Sequence, residues 1–254
     1  MTDKLFAARV LSLLDLTELS DGAREDNVEV LIRKALGPWG KPAAVCIWPQ
    51  FVSLAAGRLK GKGVAVATVV NFPKGGDDVE RTVDDVCEAV RDGADEIDLV
   101  MPYRAFLDGD SETPTNMIVA VKERLGDKRL LKVILETGVY PDQITIAAAS
   151  RLAIEAGADF IKTSTGKLPT CATIEAADTM LGVIKESIVP AGLKPSGGIR
   201  TLADAKAYLD LADARMGLGW ATPKTFRFGA SGLHAAIIEG LGSATELNDP
   251  DGIY

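Results

Sequence analysis

The sequence predicts an α/β fold of one domain, a (β/α)8 TIM barrel spanning residues 1–254 with an extra N-terminal helix. Three observations point there. The chain has 254 residues with 47% hydrophobic content, enough for one large core and close to the ~250 residues typical of such barrels. Short β-rich runs alternate with helical segments, which implies a parallel sheet covered by helices. The runs number eight, which favours closure into a ring over the runner-up, an open doubly wound sheet. No G-x-G-x-x-G follows any of them, which weakens a dinucleotide-binding reading.

Taken in order, residues 1–20 read as the N-terminal helix. Phe6, Val10, Leu13 and Leu14 fall on one helical face, as an amphipathic helix requires. Asp3, Lys4, Arg9, Ser12 and Asp15 interrupt the apolar residues and argue against a signal peptide. Strands are predicted over residues 43–47, 64–70, 96–101, 130–136, 159–163, 191–194 and 226–229, with a weak one near 212–216. The helix from Asp78 is the clearest between them. Val79, Val83, Val86 and Val90 recur at helical spacing, Asp77 with Glu80 fits a capping box, and Gly93 fits the stop. Cys87 lies beside that face and reads as a core residue. No repeat or linker is visible, and residues 243–254 read as a flexible, polar tail.

Bulk properties remove several functions. A net charge of -8 argues against nucleic-acid partners. No apolar run approaches the ~20 residues of a membrane span, so no membrane partner is expected. Cys46, Cys87 and Cys171 are scattered and odd in number. That pattern suggests a reducing compartment without disulfides, and a cytoplasmic location is expected. His234 is the only histidine, so metal centres built on two or three histidines are ruled out; an all-carboxylate magnesium site stays open. His234 itself reads as structural. Cys46 has no histidine beside it in the sequence and reads as a pocket-lining residue rather than a nucleophile.

The charged residues inside the predicted strands carry the chemistry. Alternate strand residues share a face. Glu96, Asp98 and Val100 therefore lie opposite Ile97 and Leu99, and Lys132 and Ile134 lie opposite Val133 and Leu135. Helices cover the outside, so the charged faces point inward, and Lys162 and Lys194 join them from later strands. For Glu96 and Lys132 a structural salt bridge is the simpler reading. Lys162 ends a short apolar run and is followed by Gly166-Lys167. A desolvated lysine serves as an amine nucleophile toward carbonyls; the alternative is a buried stem whose ammonium reaches solvent. Lys194 opens Lys194-Pro195-Ser196-Gly197-Gly198, before a helix expected near Thr201, and Gly229-Ala230-Ser231-Gly232 repeats the arrangement after the last strand. Such turns suit phosphate groups, as well as simple chain reversal.

Together these segments resemble the deoxyribose-phosphate aldolase family, class I aldolases on an α/β barrel. The resemblance runs from about Leu11 to Gly242. It is carried by Asp15-Leu16-Thr17, Val45-Cys46-Ile47, Asn71-Phe72-Pro73, Glu96-Ile97-Asp98, Met101-Pro102-Tyr103-Arg104, Glu136-Thr137-Gly138, Phe160 to Lys167, the Lys194 segment and Phe228-Gly229-Ala230-Ser231. The resemblance implies a metal-independent lyase without a cofactor, cleaving 2-deoxy-D-ribose 5-phosphate reversibly to D-glyceraldehyde 3-phosphate and acetaldehyde in deoxyribose phosphate catabolism. It assigns the Schiff base to Lys162, proton transfer to Asp98, and pKa tuning with proton transfer to Lys194. Gly166, Lys167, Gly197, Gly198, Gly229 and Ser231 would line the phosphate end, with Asp15, Thr17 and Cys46 lining the pocket. Tyr254 matches a terminal tyrosine that aids proton transfer in some members; a frayed end is the alternative. Gly232 stands where many bacterial members carry a second serine, and Trp48 where a tyrosine is common. A homodimer is allowed. Competing readings are a transaldolase-like enzyme, a pyridoxal-phosphate enzyme holding its cofactor on Lys162, and a non-catalytic sugar-phosphate sensor.

The chemistry sets a quantitative requirement. A lysine in water is neutral in only about 1 of 2,500 molecules at pH 7. A second ammonium ~5 Å away, at an effective dielectric of ~20, supplies about 3.3 kcal/mol against the charged form. Two lysines in one dry cavity therefore produce an effect of the size that imine formation at neutral pH requires.

Overall fold

In the computed structural model, residues 3–242 are described. The helices are α1 (Asp3–Ser12), α2 (Glu25–Ala35), α3 (Val52–Leu59), α4 (Val79–Asp92), α5 (Tyr103–Leu107), α6 (Glu112–Leu125), α7 (Gln143–Glu155), α8 (Ile174–Glu186), α9 (Leu202–Met216) and α10 (Leu233–Gly242). The strands are β1 (Leu14–Glu18), β2 (Ala44–Ile47), β3 (Ala65–Val70), β4 (Glu96–Val100), β5 (Leu130–Ile134), β6 (Phe160–Lys162), β7 (Gly192–Lys194) and β8 (Phe228–Ala230). They form one parallel sheet in the order β7-β6-β5-β4-β3-β2-β1-β8. Bridges Leu193–Phe226 and Ser196–Gly229 join the two ends, and the backbone bonds Arg227 N to Leu193 O and Gly229 N to Pro195 O close the ring. The result is a TIM barrel with helices around it.

Two expectations about elements are corrected. Residues 212–216 are the last part of α9, not a strand. Ala205, Tyr208, Leu209 and Ala212 are buried at helical spacing, so the apolar residues near its end continue a helical face. The strand missing from the expected set is β1. The N-terminal helix stops at Ser12 rather than running to residue 20, and Leu13 and Leu14 lie beyond it. β1 then alternates: Asp15 and Thr17 face inward, Leu14 and Leu16 outward, with Asp15, Leu16 and Thr17 in register with β2 and Leu14 with β8. The eight-strand total survives because one omission offset one surplus strand.

The helix from Asp78 forms as expected, with Asp78 itself as the N-cap accepting from the Arg81 N–H, and with Gly93 left-handed at φ 104°. Asp77 plays no part in that cap. Cys87 is half-buried beside the helix's inner face. α1 closes against α10 and α9. Ala7, Val10 and Leu11 are buried, and Arg9 pairs with Asp213 at 3.1 Å. Tyr254 and the tail predicted over residues 243–254 lie outside the described residues.

The core divides in two. The larger apolar cluster fills the space between strands and helices, including Leu14, Leu16, Ile97, Leu99, Val133 and Ile161. A small cluster of Leu19, Ala44, Cys46, Ala67 and Val69 lines one wall of the barrel interior. The rest of the interior carries buried charged residues beside Val100, Ile134 and Phe160.

Candidate active site

Strand alternation aims seven charged side chains at the barrel axis. Asp15 comes from β1, Glu96 and Asp98 from β4, Lys132 from β5, Lys162 from β6, Lys194 from β7 and Arg227 from just before β8. All are buried, with Asp15, Asp98, Lys132 and Lys194 at 0% exposure. At that depth a charge persists only if it is paired, and each one is. Asp98 is the hub: its Oδ2 accepts from Lys162 Nζ at 2.8 Å and from Lys194 Nζ at 2.7 Å, and its Oδ1 from Lys132 Nζ at 3.1 Å. The Lys162 and Lys194 nitrogens, bound to one oxygen, are no further apart than the sum of their two bonds. Asp15 accepts from Lys194 at 2.6 Å and from Arg227 at 2.6 Å. Glu96 accepts from Lys132 at 2.5 Å and from Arg227 at 2.8 Å.

Four cations therefore share three carboxylates. Lys132 lies within ion-pair distance of Glu96, Asp98 and Asp15. Lys194 touches Asp15 and Asp98, and Arg227 touches Asp15 and Glu96. Among the described residues Lys162 pairs with Asp98 alone, and shares it with two other lysines. Its ammonium is the least compensated of the four. Burial opposes ionisation of Asp98, but Lys132, Lys162 and Lys194 outweigh it and hold the carboxyl well below the usual range. Asp15 is lowered in the same way, burial being outweighed by Lys194, Arg227 and Lys132. For Lys194, burial works against the charge, yet Asp15 and Asp98 prevail and raise it. It thus remains a fixed ammonium beside Lys162. Burial, with Asp98 adding, pushes the Cys46 thiol up to about 11, so Cys46 is a neutral wall residue at pH 7.

Three loops border the barrel's C-terminal mouth. After β6, Gly166 adopts φ 79°, and Lys167 Nζ reaches Asp21 Oδ1 at 2.5 Å on the β1–α2 loop. Lys167 also lies 5.6 Å from the Trp48 ring centre, and Trp48 Nε1 donates to Ser20 O at 2.9 Å. After β7, Gly197 and Gly198 have φ 86° and 83°. A Cβ on Gly197 would stand 2.6 Å from the Cys171 Cβ, so only glycine lets this loop meet the β6 loop. α9 then begins with a Thr201–Asp204 capping box. After β8, Ser231 is exposed just before α10. Gly229 N–H is bonded to the Pro195 carbonyl, and Gly197 N–H points to Gly229 O at 3.4 Å. A Cβ on Gly229 would lie 3.1 Å from Lys194 Cε, so this glycine makes room for the lysine stem. Thr17 is half-buried and donates to its own strand's Asp15 O.

Comparison with known proteins decides the family. Residues 9–232 match the family model described as DeoC/LacD family aldolase. The chain is 50% identical over 228 residues, 89% of its length and 88% of the relative's, to the deoxyribose-phosphate aldolase of Agrobacterium fabrum (strain C58). The chain belongs to the DeoC/LacD aldolase family. It is an enzyme of the lyase class. A solved protein from Coccidioides immitis superposes with TM-score 0.82 at 31% identity, covering 92% of this chain and 86% of its own. The tetrameric deoxyribose phosphate aldolase of Aeropyrum pernix shares the fold, with TM-score 0.74 at 24% identity over 95% of this chain and 93% of its own.

As a DeoC/LacD aldolase the chain shows an interior that sequence reasoning read only in part. Lys162, Asp98 and Lys194 meet at one point, and Asp15 reaches the same network instead of merely lining a pocket. Arg227 was missed, although its place between Phe226 and Phe228 signals an inward residue between two outward ones. Asp21 gave no signal: it is a surface carboxylate on a loop. Glu136 is buried, left-handed at φ 60°, and accepts from Thr165 Oγ1 at 2.6 Å. Burial raises its carboxyl, against the bonds from Thr165. The three inner carboxylates are saturated by cations, which leaves them poor ligands for a metal ion. Among the described residues no group of His, Cys, Asp and Glu is arranged to hold one, and no helix is long and apolar enough to cross a membrane.

Proposed function

We propose that this aldolase cleaves 2-deoxy-D-ribose 5-phosphate reversibly to D-glyceraldehyde 3-phosphate and acetaldehyde, through a Schiff base on Lys162 and without a metal ion. The observation that carries the reading is that, among the described residues, Lys162 has a single, shared carboxylate partner beside the doubly paired Lys194. An amine whose carboxylate is shared with two other lysines, beside a fixed ammonium, is the one placed to act as the nucleophile.

Lys162 Nζ adds to the C1 aldehyde of the open-chain sugar and gives a carbinolamine. Lys194, an ammonium in contact with Asp98, supplies the proton on which the hydroxyl leaves as water. The resulting iminium draws the electron pair of the C2–C3 bond as that bond breaks. The C3 hydroxyl gives up its proton through Asp98 and Lys194, and glyceraldehyde 3-phosphate departs. The remaining enamine takes a proton at C2, and water hydrolyses the iminium to acetaldehyde and free Lys162. Asp98, held as an anion between the two amines, orients both and passes protons between them.

Lys167, Ser231 and the glycine turns at Gly166 and at Gly197–Gly198 form the phosphate end, where a fixed anion holds the reacting carbons over Lys162. Gly229 serves that end by shaping the β8 loop, since its N–H is engaged by Pro195. The reading places the enzyme in deoxyribose phosphate catabolism in the cytoplasm. Borohydride with substrate is expected to leave a stable adduct on Lys162. An adduct only on another lysine, or activity lost to EDTA and restored by a metal ion, overturns the mechanism.

A further inference from the structure

We infer that Arg227 and Glu96, at the foot of the barrel, are positioning residues that set the pH at which Lys162 reacts. The inference rests on the Schiff-base reading above. Neither side chain can touch the substrate: both line a cavity of about 540 Å³ that also includes Ser12, Lys41 and Pro223, at the opposite end of the strands from Lys162. Their influence is carried by ion pairs. One route runs from Arg227 to Asp15 (2.6 Å), to Lys194 (2.6 Å), to Asp98 (2.7 Å) and to Lys162 (2.8 Å). The other runs from Glu96 to Lys132 (2.5 Å) and then to Asp98 (3.1 Å). Arg227 and Glu96 also bind each other at 2.8 Å. All of these groups are buried, so a charge at the foot is only weakly screened at the mouth.

The groups facing Lys162 are Asp98 and Glu96 on β4, Lys132 on β5 with Glu136 beyond its end, Lys194 on β7, Asp15 on β1, Cys46 on β2 and Arg227 before β8. α7, on the outer side of β6, presents the buried Ile146, Ala149 and Ala153. Among the described residues, Lys132, Lys194 and Arg227 each keep at least one carboxylate when any single acid is neutralised, whereas Lys162 depends on Asp98 alone. A change in the charge of the cluster is therefore answered first at Lys162.

The sign of each effect follows. Arg227→Gln deletes a positive charge from the buried cluster and leaves the remaining ammonium groups better compensated. The acid-side limb of the kcat/KM profile then moves up by about one pH unit, the scale for a charge ~10 Å away at an effective dielectric of ~20. Glu96→Gln deletes a negative charge without changing shape and moves the limb down by a similar amount. The double variant removes one charge of each sign and returns the limb to the wild-type position. Profiles that stay in place, or move in the same direction for both single variants, overturn the inference. If Arg227→Gln does not fold, the isosteric Glu96→Gln decides alone: a downward shift supports the inference, and an unmoved or upward limb overturns it. Borohydride trapping on wild-type Lys162 tests the underlying reading separately. An adduct there with unmoved profiles refutes only the role of the foot, whereas no adduct refutes the Schiff base itself.

Discussion

Replacing Asp98 by Asn would leave Lys132, Lys162 and Lys194 sharing one anion fewer in a buried site. Removing one partner from a buried ion pair costs about 3–5 kcal/mol, because the charges left behind stay unpaired. Asp98→Asn is thus expected to lower the urea midpoint clearly, and to cut kcat by about 10²–10⁴-fold, the usual scale for a lost proton-transfer group. A variant with full stability, or with kcat within a few-fold of wild type, would show that Asp98 is not the hub. Lys194→Leu makes a different prediction. It removes the ammonium nearest Lys162, so imine formation, followed by borohydride trapping across pH, should need more alkaline solution. An unchanged pH dependence would remove Lys194 from its tuning role. Both residues were legible in the sequence because a charged residue inside an apolar strand run is costly and invites a reason. Arg227 obeyed the same rule but sat in a run too short for its alternation to stand out.

At the level of loops and strands, the Lys167–Asp21 pair ties the β6 loop to the β1 loop across the mouth. Asp21 is 90% exposed, and exposed ion pairs contribute only about 0–1 kcal/mol. A substrate phosphate at the same place must displace Asp21 from Lys167. Asp21→Asn should therefore lower KM for the phosphorylated sugar by up to about 5-fold, the equivalent of ~1 kcal/mol, and leave KM for unphosphorylated 2-deoxyribose alone. Equal changes for both sugars would mean that Lys167 does not read the phosphate. Such loop contacts are invisible in a sequence, since Asp21 and Lys167 are distant along the chain and polar loop residues follow no period. Strands show the converse. β4 and β5 were legible from alternating charged and apolar residues over five positions. β1 was not, because Leu13 and Leu14 also continued the apolar face of α1, and the chain changes period within two residues. Residues 212–216 misled in the opposite direction: a short apolar stretch is equally consistent with a strand or with the end of a helix, and here the helical face of α9 prevailed.

For the whole molecule, an interior of ion pairs ties stability to pH in a defined window. Asp15 and Asp98 are held below the ordinary carboxylate value of 3.8. Their contribution is fully present above that value and is lost as pH falls through their folded-state range. Burial opposes the charges of Lys132 and Lys194, but their carboxylates outweigh it, and both are raised above the ordinary 10.5. Their contribution is fully present below 10.5 and is lost as pH rises through the folded-state range. Between these limits none of the four changes its charge in either state, so the network adds no slope. His234 is the only histidine. Burial, with Lys34 adding, lowers it from 6.5 against a backbone bond to Lys34, so it favours the fold slightly more as pH rises through 6.5. The urea midpoint is expected to climb only marginally from pH 5 to 7, to stay level to about pH 9, and to fall beyond about pH 4 and pH 10.5. The alternative is a barrel that buries Lys132 and Lys194 as neutral amines. In that case the unfolded chain would bind more protons below 10.5, and stability would rise steadily from pH 8 to 10. A measured rise across that interval would show that the carboxylates do not hold these lysines charged, and the paired interior on which the reactivity of Lys162 depends would be lost with it.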